Sequence, residues 1–127
     1  MELVNVVVAG AAGWIFGAIW YGIMGKPWMA AAGLTEETIN HKNIAAFVGS
    51  FLCAILVAGM MRHIFATSNV ATVSEGIISG LGLGLFIATP WLTTNYLFAQ
   101  RPRALIVIDG IYATIGSAVI GAVLMMF

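Results

Sequence analysis

Ten charged side chains, five basic and five acidic, are all that this chain of 127 residues carries. Each is therefore a candidate for chemistry, and Asp109 is the foremost. It lies inside an apolar run, six residues past Arg103, or ~9 Å along a helix. An ionised acid facing lipid at that depth costs up to ~3 kcal/mol. The side chain must therefore face protein or a wet cavity, be paired, or carry a proton. Tyr112 follows three residues later on the same helical face, and Asn95 ends the preceding apolar run at a similar depth. Arg101, Arg103 and Lys26 can bend inward to that level. These residues support two readings: a site for a solute, ion or proton, or an Asp–Arg anchor that pins the last hairpin.

Arg62 and His63 end one apolar run and Glu75 begins the next. An Arg62–Glu75 pair would clamp that turn, and His63 could report pH. Metal chemistry finds no purchase. His41 and His63 stand at opposite ends of one run, ~33 Å apart if helical, and the single cysteine, Cys53, reads as a small packing residue. No phosphate loop, nucleophile elbow or pair of catalytic carboxylates is present. The expectation is a non-enzymatic protein without metal or cofactor.

The elements that must position these residues follow from composition. The sequence is 61% hydrophobic and 8% charged, against roughly 45–50% and about 25% in soluble domains. Too little polar surface exists to cover a compact soluble ball. With no net charge, the chain has no electrostatic footprint for nucleic acid. Four stretches, 3–24, 44–65, 76–98 and 104–127, are each long enough to cross a bilayer core of ~30 Å as a helix. They leave no room for a soluble domain, and their near-continuous apolar character excludes the alternation of a membrane barrel. The N-terminal run lacks a basic n-region and reads as a retained span. Lys26, Lys42, Arg101 and Arg103 lie in the first and third loops, against Arg62 on the other side. The excess predicts those loops in the cytoplasm and both termini outside.

Within the first loop, Thr35 followed by Glu36 and Glu37 predicts a short interfacial helix near 35–42, while Gly25, Lys26 and Pro27 predict the end of the first span. Pro90 predicts a kink in the third span. Small residues recur every four positions: Gly13 and Gly17; Gly76, Gly80 and Gly84; Ala113, Ser117 and Gly121. Such stripes bring helices close in lipid. They suit packing inside the chain or against a second protomer. Tyr21 precedes Lys26 and Pro27 at the same offsets at which Tyr96 precedes Arg101 and Pro102. The echo is compatible with a two-plus-two repeat or with convergent interface chemistry.

Two stretches resemble a known family. Gly17-Ala-Ile-Trp20-Tyr21, continuing to Gly25-Lys26-Pro-Trp28-Met29, is similar to the G-x-x-W-Y…G-K-x-W-M signature of small bacterial four-span membrane proteins catalogued as a domain of unknown function. Asn95-Tyr96-Leu-Phe98 with Arg101-Pro102 resembles the same family's third-loop region. The resemblance implies a fold and a membrane location but no activity. Trp20, Tyr21, Gly25, Lys26 and Trp28 match the first motif and make a membrane-interface corner of aromatic rings, a flexible glycine and a snorkelling lysine.

The expected architecture is all-α: a four-helix transmembrane bundle of two hairpins in a single domain, with one short interfacial helix. The expected function is that of an inner-membrane homo-oligomer that binds or passes a small solute or ion near Asp109. The alternative is an accessory subunit or assembly factor, whose partner would be a larger membrane complex.

Overall fold

The computed structural model describes residues 2–40 and 42–127. Among these there is no strand. The chain forms α1 (Glu2–Ile23), α2 (Gly25–Ala32), α3 (Ile44–Thr67), α4 (Val73–Leu83), a π turn (Gly84–Ala88), α5 (Thr89–Phe98) and α6 (Arg103–Leu124). The π turn joins α4 and α5 into one rod, Val73–Phe98. With α1, α3 and α6 it makes four helices long and apolar enough to cross a membrane, with mean hydropathies of 1.5 to 2.4. Their length and hydropathy fit a helical membrane protein.

The ends of the helices have local causes. α4 begins with a capping box: Thr72 Oγ1 accepts from the Glu75 amide and the Glu75 carboxylate accepts from the Thr72 amide. Asn43 caps α3 by accepting from Ala46. Gly33, Asn69 and Gln100 terminate α2, α3 and α5 at positive φ of 76°, 60° and 58°. In each case the next amide turns back five residues, from Leu34 to Met29, Val70 to Phe65 and Arg101 to Tyr96.

The short helix of the first loop is Gly25–Ala32, not 35–42. The first span does end just before Gly25, at Ile23, and Pro27 sits in the first turn of α2, where the missing N–H has no intrahelical partner to lose. Residues 36–38 form only a turn, with Thr35 and Thr38 bonding each other. Within the predicted helix, His41 lies outside the described residues, and Lys42 is in a turn.

The helices form two hairpins laid side by side. α1 pairs with α3, the α4–α5 rod pairs with α6, and α1 joins the two through α6. α6 is the central helix. Glycine sets these contacts. A Cβ on Gly80 would lie 2.3 Å from the Ser117 carbonyl oxygen, and one on Gly76 2.4 Å from that of Gly121. A Cβ on Gly17 would lie 2.7 Å from the Tyr112 ring. The three small-residue stripes are thus spent inside the chain, two of them against each other. α3 packs on α1 along one side and meets α6 only near its C-terminal end, through Phe65 and Met61 of the core around Leu124. The bundle is consequently open between α3 and the second hairpin.

Candidate functional site

The α2 end of the molecule gathers the aromatic residues of α1, α2, α5 and α6 around one acid. Asp109 is half-buried on α6. Tyr21 from α1 donates its hydroxyl to Oδ1 at 2.5 Å, and Tyr96 from α5 donates to Oδ2. Both oxygens of one carboxyl group are held by neutral phenols from two other helices. Such charge-assisted bonds are about twice as strong as neutral ones. Among the described residues no ion pair reaches Asp109. The expected arginine and lysine partners are engaged elsewhere or exposed: Arg101 donates to the Ala32 carbonyl at 2.9 Å, and Lys26 and Arg103 point outward. The anchor built here is therefore Asp–Tyr rather than Asp–Arg.

Further rings close around this contact. Trp28 of α2 meets the Tyr21 ring edge-on with centroids 6.0 Å apart. Tyr112 packs against Tyr21 at 5.3 Å and stacks on Phe16 at 6.2 Å. Trp20 donates its indole N–H to the Ile108 carbonyl at 3.0 Å. The corner motif and the acid are thus a single structure: Trp20 and Tyr21 grip α6 at consecutive residues, and Trp28 folds back over them. Gly25 lies in the first turn of α2 with open space beside it, and Lys26 extends from that turn into solvent.

Asn95 is exposed and is not brought to Asp109. The cause is the π turn. Gly76, Gly80 and Gly84 face α6, and at 3.6 residues per turn that face would continue to Asn95. The π turn inserts one extra residue per its single turn, so the face continues instead to Thr89 and Tyr96. Thr89 bonds the Gly110 carbonyl at 3.3 Å and the Thr114 hydroxyl at 3.1 Å, and Tyr96, two turns on, reaches Asp109. The π turn, Gly84–Ala88, lies just before Pro90, where a kink was expected. Tyr96 was not among the candidate residues for this site; its place in the echo with Tyr21 was the available signal, since the two tyrosines of the echo hold the same carboxyl group.

The Arg62–Glu75 clamp is not formed. Arg62 donates to the Asn5 side-chain amide oxygen, Oδ1, and lies 3.6 Å from Glu2, while Glu75 is occupied by the amides of Ala71 and Thr72. The reason is local: a capping box three residues long outcompetes a reach across the turn. Asn5, 2% exposed, gives its amide to the carbonyls of Leu124 and Phe127. His63 is exposed. Among the described residues no three His, Cys, Asp or Glu side chains come close enough to hold a metal.

Between α3 and the second hairpin runs a groove of about 370 Å³, bordered by Cys53, Ala54, Ala88, Tyr112, Gly116 and Ser117 among others. Ser50 at its edge accepts from the Trp14 indole at 3.0 Å. One end of the groove is the Tyr112 ring, one turn of α6 from Asp109.

The family model described as "Protein of unknown function (DUF1761)" matches residues 4–125, and the chain belongs to that family. No curated protein and no solved structure matches it.

Proposed function

We propose that this is a non-enzymatic protein of the bacterial cytoplasmic membrane that binds a small cation at Asp109. One observation carries the reading: a half-buried carboxyl group is held by two phenol hydroxyls, with no basic side chain in ion-pair range among the described residues. Neutral donors orient and stabilise the acid but leave its charge uncompensated. The rings of Tyr21, Trp28 and Tyr112, packed on one another beside the acid, supply π-systems that attract a cation. The excess of lysine and arginine at the α2 end supports an orientation with that end in the cytoplasm and both chain ends outside.

Purified protein titrated with tetramethylammonium should show a saturable change in tryptophan fluorescence, because Trp20 and Trp28 flank the site. Asp109→Asn should abolish the change while keeping the fold. An unchanged titration in Asp109→Asn, or none in the wild type, would overturn the reading.

A second reading rests on α3. Its packing on one side only leaves a face for another chain. A second copy there makes the homo-oligomer, and a different protein makes this an accessory subunit. Native mass spectrometry of gently extracted protein separates the two by mass.

A further inference from the structure

The groove and the acid lie on one face of α6. Tyr112, Ala113, Gly116, Ser117 and Ile120 border the groove, and Asp109 continues that row one turn toward α2. Tyr112 belongs to both: its ring ends the groove and packs on Tyr21, which holds Asp109. At about 370 Å³ the groove falls within the size range of small-molecule sites, roughly 300–1,000 Å³. Its walls are Ala, Gly, Val, Ile and small hydroxyl or thiol side chains, and it opens sideways where the bundle is unfilled. An apolar slot that leads to an uncompensated acid framed by aromatic rings has the complementarity of one ligand class.

Resting on the cation reading above, we infer that the ligand is an amphiphilic organic cation, with its ammonium group at Asp109 and its apolar body along α6 between α3 and the second hairpin. Charge decides this occupant over an ordinary lipid chain, because an acyl tail alone gains nothing from the acid at the groove's end. An inorganic cation fares worse at the acid: both Asp109 oxygens already accept phenol hydroxyls, and the Ile108 carbonyl beside them accepts the Trp20 indole. Few free oxygens remain to replace a hydration shell. An organic ammonium ion needs only charge and ring faces.

The test is protection of Asp109 from dicyclohexylcarbodiimide, read by peptide mass spectrometry on the full chain in lipid nanodiscs. Asp109→Asn supplies the blank. Dodecyltrimethylammonium should protect at least about tenfold more strongly than tetramethylammonium, and dodecanol should not protect. Cys53→Trp fills the groove from an exposed position. It should erase the advantage of the long chain over tetramethylammonium. Equal protection by the two ammonium ions, or protection by sodium or potassium alone, overturns the inference and leaves the cation reading standing. Protection by dodecanol equal to that by its cationic counterpart shows a lipid groove and also overturns it. Protection by no cation overturns both.

Discussion

The two ends of the bundle hold charge in opposite ways. At the α2 end an acid, Asp109, is gripped by two phenols and four surrounding rings. At the other end a base, Arg62, leans on the Asn5 amide and on Glu2. Each end ties α6 to the first hairpin. Among the described residues, only the Arg62 end pairs its ion with an opposite charge. A buried or half-buried ion needs hydrogen bonds to persist, and both ends supply them. At the α2 end the donors are neutral phenols rather than an ion-pair partner, and the proposed cation site rests on that difference.

Asn5→Leu should break this comparison most severely. It removes the amide that joins Arg62 to the last carbonyls of the chain, leaving a charged donor and two carbonyls short of partners. The expected loss of stability is about 3 kcal/mol, read as a fall in the unfolding free energy in detergent. Tyr21→Phe and Tyr96→Phe act at the other end. Each deletes one bond to a carboxyl group at a loss of about 1.5–2 kcal/mol. Because Asp109 has two donors, either single variant should keep the fold.

Glu75→Gln sharpens the contrast by testing the partner that Arg62 does not have. It should cost about 0.5–1 kcal/mol through the weakened capping box. A double-mutant cycle with Arg62→Gln should show no coupling between the two. Glu2→Gln should have the smallest effect, below about 0.5 kcal/mol, since the Glu2 side chain is 83% exposed. A larger loss would mean that the Arg62 end depends on its ion pair as much as on Asn5.

The sequence carried the four long helices plainly, because length and unbroken hydropathy determine them without tertiary information. The glycine stripes were equally plain, but their partners were not. Spacing shows that a helix face is smooth, not which helix meets it. Asp109 was legible because an acid inside an apolar run is expensive wherever it points. Its partners were not, since a phenol hydroxyl carries no charge to announce itself. Asn95 was singled out by its depth at the end of the third span, but depth does not say which way a side chain faces, and the π turn sets Tyr96 rather than Asn95 toward α6. Asn5 escaped notice because a single amide barely interrupts an apolar run, although burial makes it the hub of its end. The α2 helix was misplaced because Pro27 was read as a stop, when the first turn of a helix accepts proline.

The account turns on Asp109 as a charge open to an added cation, and ligand-induced stabilisation tests that most directly. Thermal unfolding should be measured for the wild type and Asp109→Asn, with and without dodecyltrimethylammonium below its micellar concentration. A ligand at 100 times its dissociation constant stabilises by about 2.7 kcal/mol. The wild type should rise in midpoint by several degrees and Asp109→Asn should not move. Equal shifts in both proteins, or no shift in either, would contradict the account.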